Sequence, residues 1–531
     1  MRRRNNCLAL CLCLLVFPLA AQSAHETHVH FEDDEYWWGG VVAFGSKMPY
    51  LQPLAAFDLM LRNENNQTVP FFLSNKGRYI WSDLPFTFEI NGRALHLKSA
   101  YEKVTVRQGG KTLKEAYLHA SAKHFPPSGI LPDSLFFAMP QYNTWIELMY
   151  DQNQHDIMRY AQSVIDNGFP AGVLMIDDNW QKHYGNFEFK PDKFPDAKGM
   201  VDRLHHLGFK VMLWVCPFVS ADSPEFRFLS GKGYLLKAKG ADVAAMIPWW
   251  NGFSACYDFT NPAAAGYFVA QLKAVQAAYG VDGFKFDAGD SKFYDARFVD
   301  SYQKDALPTD HTLAWAAIGL QFPFNEYRAC WKMGGQALVQ RLGDKDYSWE
   351  ALQLLIPDML AAGLMGHAYT CPDMIGGGWF TSFIGIESDQ FNQALIVRSA
   401  QVHALMPMMQ FSVAPWRILN TENLDIVRKA AQLHQKMGDY ILTCAGKSAK
   451  TGEPIVQHME YAFPHEGFAG CNDQFMLGDT FLVAPATTPE KTRTVKLPKG
   501  KWKDEQGKTY RGGKTITFET PLDRLPYFEK L

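Results

Sequence analysis

Asp287 closes the run Val281-Asp282-Gly283-Phe284-Lys285-Phe286-Asp287, in which polar and aromatic residues alternate. Successive side chains of a strand point to opposite faces. Gly283, Lys285 and Asp287 therefore share one face, and Phe284 and Phe286 the other. The aromatic face suits packing against helices. The other face sets a lysine beside an aspartate, and neither belongs in a core unless paired. The ammonium would keep Asp287 ionised, as a nucleophilic carboxylate at the C-terminal rim of a parallel strand must be. A purely structural Lys–Asp pair is the competing reading of the same residues.

Three further segments carry carboxylates at comparable places. One is Ile176-Asp177-Asp178-Asn179-Trp180. A second is Arg341-Leu342-Gly343-Asp344-Lys345-Asp346, just before a helix. The third is Cys371-Pro372-Asp373, followed by Met374-Ile375-Gly376-Gly377-Gly378. Four such ends on one rim form a polar pocket. Two opposed carboxylates suit glycoside hydrolysis, with one as nucleophile and one as general acid. The nucleophile needs a low pKa, which Lys285 would supply. The acid needs a raised one, which burial beside like charges would supply. The cluster could instead bind Mg²⁺ or Ca²⁺, or Asp178 and Asp373 could cap the helices or turns that follow them.

The elements that must position these residues alternate along the chain. Strands are expected over 144–150, 172–177, 210–218, 283–287 and 367–371. Helices are expected over 155–167, 197–207, 262–279, 349–364 and 391–409. This alternation implies a parallel sheet, and roughly 300 residues of it suit a (β/α)8 barrel better than an open sheet. No GxGxxG motif follows an early strand, which argues against a dinucleotide fold. Residues 25–125 and those after about 440 read as β-rich, with turn signals such as Asn91-Gly92 and Gly109-Gly110. The expected organisation is a leader at 1–24, an N-terminal β-sandwich at 25–128, a catalytic (β/α)8 barrel at 129–438 and a small C-terminal β-sandwich at 439–531.

The leader has Arg2, Arg3 and Arg4, then an apolar run from Cys7 to Leu19, then small residues to Ala24. This reads as a cleaved secretory signal, too short for a membrane span, and implies a secreted or periplasmic protein. No membrane span is expected in the mature chain. The 531 residues are 47% hydrophobic, enough for a large core. The net charge of -3, without a basic run in the mature chain, gives no support to nucleic-acid binding. Six cysteines lie beyond the leader, with no CxxC pair to hold zinc. Cys444 and Cys471 are the pair expected to form a disulfide if one forms. His25, His28 and His30 are read as a fraying terminus rather than a metal site, His367 as a core histidine, and Trp37, Trp38 and Trp249 as packing residues.

Together these segments resemble glycoside hydrolase family 31, the retaining α-glycosidases, from about residue 130 to the C-terminus. Met175–Trp180 with Lys193-Phe194-Pro195-Asp196, Gly208 through Trp214, Phe286-Asp287, Gly343-Asp344 and Pro372-Asp373-Met374-Ile375-Gly376-Gly377 are similar to its motifs. So is the tail, Asp473 through Gly478 and Val483-Ala484-Pro485. The resemblance implies Asp287 as nucleophile, Asp344 as general acid/base, double displacement with retention, and no metal or other cofactor. Asp346 is the rival for the acid, read as a helix-start residue favoured by the dipole.

The chain departs from the family's α-glucosidases at two glucose-holding positions. Gln336 stands where they carry an arginine, and Met406-Pro407-Met408-Met409-Gln410-Phe411-Ser412 lacks their histidine. It looks instead like the branch that contains myogenesis-regulating glycosidase and relatives with α-galactosidase activity. That branch implies substrate contacts from Arg328 and Trp250. Trp214, Lys285 and Asp373 are further expected to line the sugar site. Asp177, Asp178 and Trp180 are expected to receive O4 and O6 of galactose, whose epimer a site so built would reject. The carbohydrate is the one partner expected. An α-glucoside, α-xyloside or sulfoquinovoside substrate is the nearer alternative, and a catalytically silent carbohydrate-binding protein the farther one.

Overall fold

The computed structural model describes residues 24–531. The expected leader lies, but for Ala24, outside the described residues. Two antiparallel four-stranded sheets form the N-terminal sandwich. One contains His25–His30, Ala94–Ser99, Thr87–Ile90 and Leu54–Asp58 in spatial order, and the other Trp37–Val41, Thr68–Ser74, Arg78–Trp81 and Val106–Gln108. Trp37 and Trp38 are buried in it, as packing residues. The expected all-β stretch to 125 ends in a helix instead, Leu113–His124, because Thr112 caps it by accepting from Glu115 N at 3.2 Å.

Eight parallel strands then close into a barrel: Gln141–Asn143, Val173–Ile176, Lys210–Val215, Gly283–Phe286, Phe324–Tyr327, Gln340–Arg341, Thr370–Cys371 and Gln410–Phe411. The eighth pairs with the first, and Met374 bridges Gln410 to complete the ring. On the fourth strand Phe284 and Phe286 point outward as the alternation requires. Phe286 stacks on Tyr327 at 4.7 Å and Phe284 meets Phe322 edge-on at 5.2 Å. Only glycine fits at 283, where a Cβ would lie 2.0 Å from Phe324 O.

Several helices start where their caps dictate. Asn153, Asp196 and Asn261 each accept a first-turn N–H, opening Gln154–Asp166, Ala197–His206 and Pro262–Tyr279. Three elements differ from the reading above. The first strand is Gln141–Asn143 rather than 144–150, since Asn143 Oδ1 accepts from Trp145 N at 2.8 Å and folds the chain into the turn Trp145–Leu148. The helix expected over 349–364 is broken into Trp349–Leu352 and Leu355–Leu364. Pro357 has no N–H to continue it and is tolerated in the first turn of the second piece. The stretch expected as one helix over 391–409 is Gln393–Ala404, followed by the eighth strand.

A further difference is Thr421–Thr451, a helix of 31 residues that packs on Gln393–Ala404 and runs through the expected boundary at 438–439. The C-terminal domain follows, with a six-stranded sheet from Val456–Gln457 to Tyr527–Lys530 and the pair Thr492–Leu497 and Lys514–Glu519. It is tied to the barrel by the buried Arg398, which donates to Thr520 O at 2.5 Å and Arg524 O at 3.1 Å. The pairing considered for Cys444 and Cys471 does not form, and all six described cysteines are free. Cys444 lies on the long helix, and Cys471 Sγ turns to Asp473 at 3.8 Å.

Candidate active site

The carboxylate-bearing strand ends open into one cavity of about 960 Å³ at the C-terminal end of the barrel, where barrel enzymes place their chemistry. Asp177, Asp178, Trp214, Lys285, Asp287, Arg328, Arg341 and Asp344 line it.

Asp287 is set by the backbone beyond its strand. Its N–H donates to Val215 O at 2.9 Å. Ala288 adopts a left-handed φ of 59°, a conformation that costs an L-residue about 1–2 kcal/mol. That turn lets Ala288 N donate to Asp287 Oδ1 at 2.8 Å. Gly289, at φ 77°, then passes under Trp315, whose Cδ1 would lie 2.0 Å from any Cβ there. Trp214 Nε1 donates to Asp287 Oδ2 at 2.9 Å, and Arg328 Nε forms an ion pair with Oδ1 at 3.2 Å. Burial alone would raise this carboxyl. Arg328, then Lys285 and the Trp214 hydrogen bond, outweigh it and hold Asp287 below the usual carboxylate range.

The sequence assigned that role to Lys285. Its direct partner is Asp177, at 2.6 Å, so its effect on Asp287 is the lesser one beside Arg328. Burial works against the lysine's charge, and Asp177 more than restores it. Arg328 is fixed in turn by Asp290, which accepts from Nη2 at 2.8 Å, and lies over the Trp250 ring at 4.8 Å.

Asp178 has a different environment. Tyr184 OH donates to it at 3.1 Å and Asn251 Nδ2 at 2.9 Å. Burial pushes its carboxyl up to about 7, and the neighbouring charge of Asp177 adds to the shift. Asp344 faces Arg341, whose Nη1 donates to Oδ1 at 2.7 Å. Asp344, expected as the acid, is therefore not surrounded by like charges alone. The same guanidinium donates to Asp373 at 2.9 Å and approaches Glu326 at 3.5 Å below the cavity floor.

Trp180 and Asp373 do not reach the cavity. Trp180 is fully buried, donates to Trp214 O at 2.7 Å and packs on Phe189 at 4.6 Å. Asn179, at φ 79°, turns the chain away after Asp178. Asp373 is fully buried and accepts from Arg341 and from the backbone N–H of Lys345 and Gly378, so it holds the Asp344 loop. Burial pushes its carboxyl up to about 6 against the pull of Arg341. Asp346 is exposed and lies outside the cavity. Trp250 lines the cavity as expected. Trp249 does so too, while stacking on Phe218 at 4.3 Å. His367 is a core residue, with burial lowering it to about 4.

Tyr184, Asn251, Asp290, Glu326 and Arg341 are the residues that sequence reasoning left without a role. Arg341 opens the segment that carries Asp344, and Asp290 lies three residues beyond Asp287, but nothing in their spacing marks a partner. Among the described residues no group of three or more His, Cys, Asp or Glu is arranged to hold a metal ion. The arrangement can hold one carboxylate ionised in a desolvated pocket, present a second to the same space, and offer acceptors to hydroxyl groups.

Two family models match the chain. Residues 136–444 match one described as the glycosyl hydrolases family 31 TIM-barrel domain, and residues 452–530 one described as the glycosyl hydrolase family 31 C-terminal domain. Myogenesis-regulating glycosidase of Mus musculus is 32% identical over 430 residues, covering 79% of this chain and 60% of that protein. An α-xylosidase of Emericella nidulans is 27% identical over 415 residues, covering 72% of this chain and 51% of that protein. The chain thus spans little more than half the length of these relatives. A Flavobacterium johnsoniae dextranase complexed with glucose shares the fold, with a TM-score of 0.83 and 21% identity over 95% of this chain and 66% of that one.

Proposed function

Because this chain belongs to glycoside hydrolase family 31, we propose that it is an exported retaining α-glycosidase that hydrolyses terminal α-linked galactose. The observation that carries the reading is the pair Asp287 and Asp344 facing one cavity, with Asp287 kept ionised.

Asp287 attacks the anomeric carbon while Asp344 protonates the departing oxygen, giving a β-galactosyl ester. Asp344, now a carboxylate, takes a proton from the water that cleaves the ester, with net retention. Trp214 and Arg328 disperse charge on Asp287 as it leaves, and the Arg341 guanidinium stabilises the Asp344 carboxylate between the two steps. Galactose is favoured by Asp177 and Asp178, two buried carboxyls that line the cavity together with Trp214. A silent carbohydrate-binding protein would have no use for both Asp287 and Asp344. Export is proposed from the leader in residues 1–24.

The test uses nitrophenyl α-galactoside, α-glucoside, α-xyloside and α-sulfoquinovoside with the parent and Asp287→Asn. The first-formed anomer is followed by NMR. Galactoside turnover giving α-galactose, and lost in the variant, supports the proposal. Turnover of another sugar keeps the mechanism and overturns galactose. Release of the β-anomer overturns retention, and sugar binding without turnover favours the silent protein.

A further inference from the structure

The cavity is far larger than one pyranose needs. Its 960 Å³ lies at the upper end of ligand pockets, about 300–1,000 Å³. The inner part carries the carboxylates. The outer wall comes from the loops after the third, fourth and seventh strands, and its large side chains are apolar: Met246, Ile247 and Pro248 from the first, Phe298 and Val299 from the second, and Trp379 from the third. Met246, Phe298 and Trp379 are 42%, 68% and 47% exposed. Large apolar side chains exposed together at a cavity mouth mark a binding surface.

The polar groups at this end are already engaged with one another. Lys292 Nζ donates to Asn65 Oδ1 at 2.9 Å, and Arg297 Nε donates to Asp295 Oδ2 at 2.9 Å. A second sugar would bring several hydroxyls here and find few free partners, and each unpaired polar group costs binding energy.

We propose that the outer half of the cavity is an aglycone site for an apolar group, either an alkyl chain or an aromatic ring, and not for a second sugar. The proposal rests on the glycosidase reading, and its test separates the two. Methyl, octyl and 2-phenylethyl α-galactosides have alcohol leaving groups of similar acidity, so differences in kcat/KM report the aglycone site. With octyl glycoside kept below self-association, the octyl-to-methyl ratio should reach at least about 30-fold, since each buried CH₂ contributes severalfold. A 2-phenylethyl glycoside that exceeds octyl identifies an aromatic source, and the reverse an alkyl one. Either supports the site. A ratio near one with turnover intact overturns it, as does a 6-O-α-galactosyl-glucose that outperforms both.

The same three aglycones on α-glucose are run alongside. A large ratio there, with no galactoside turnover, sinks galactose and leaves the aglycone site standing. If no glycoside turns over, the ratio is read as Kd in Asp287→Asn. Met246→Ser/Phe298→Ser should collapse the ratio at least about fivefold, while Phe228→Ser, exposed outside the cavity, should leave it alone. A ratio unmoved by the double variant overturns the assignment of this wall.

Discussion

Lys285 Nζ and Asp177 Oδ2 meet at 2.6 Å, both buried, across the strand that carries Trp214. The pair ties the second barrel strand to the fourth over the third. Removing one partner leaves an uncompensated buried charge, at a cost of about 3–5 kcal/mol. Lys285→Met should lower stability by that amount, measured by melting, and Lys285→Met/Asp177→Asn should recover at least half of it. A double variant as unstable as the single would refute the pairing as the cause.

Asp178 gives the protein a pH signature. Its carboxyl is raised to about 7 in the fold, against about 3.9 in an unfolded chain. Between those values the folded state holds a proton that the unfolded state has lost. Its contribution to stability is therefore greatest at the acid end and falls as pH rises, by up to about 1.4 kcal/mol per pH unit. Asp178→Asn removes that ionisation. The melting temperature of the variant relative to the parent should climb from about pH 4.5 to about pH 7.5, and a flat difference would show that Asp178 titrates elsewhere.

Trp214→Phe keeps a ring in the cavity and deletes the donor to Asp287. A hydrogen bond to a charged group contributes about 1.5–3 kcal/mol, so kcat/KM should fall by about 10- to 100-fold. The acid limb of the kcat/KM profile should move to higher pH, because Asp287 loses one of the groups that hold it ionised. Loss of activity with an unmoved limb would mean that the indole serves only to pack.

Asp373→Asn tests whether that residue serves the acid. It accepts from Arg341, Lys345 N and Gly378 N around Asp344. With the acid misplaced, hydrolysis of alkyl glycosides, which need protonation of the leaving oxygen, should fall by about 100-fold. Nitrophenyl glycosides need little protonation and should fall far less. Equal losses on both would return Asp373 to a general structural role.

The barrel was legible wherever elements were long or capped. Pro262–Tyr279 was read to the residue because Asn261 opens it and Gly280, at φ 80°, closes it. Asp177 and Asp287 directly follow strands two and four and both line the cavity, as the sequence placed them. The sixth and eighth strands are two residues each, too short for any period to emerge, and the seventh, read over 367–371, is only Thr370–Cys371. The site was legible in its carboxylates and less so in their partners. Lys285 faces Asp287 in sequence, but strand pairing hands it to Asp177. Trp180 follows the aspartate pair closely, yet the turn at Asn179 sends it under Trp214. Arg341 and Asp290 matter through contacts that join different strands, which a linear pattern does not encode.

Arg398 carries a lesson about modularity. Its guanidinium is buried in a barrel helix, yet its acceptors at Thr520 and Arg524 belong to the C-terminal domain, and Gln401 beside it donates to Leu522 O at 2.7 Å. A truncation near residue 452 would strip that buried charge of its acceptors at Thr520 and Arg524 and leave it only Gln401 Oε1, at 2.8 Å. The barrel is therefore not a portable cassette. Recombination, fusion or expression that separates it from the last eighty or so residues should yield insoluble protein, and the two parts must be inherited and lost together.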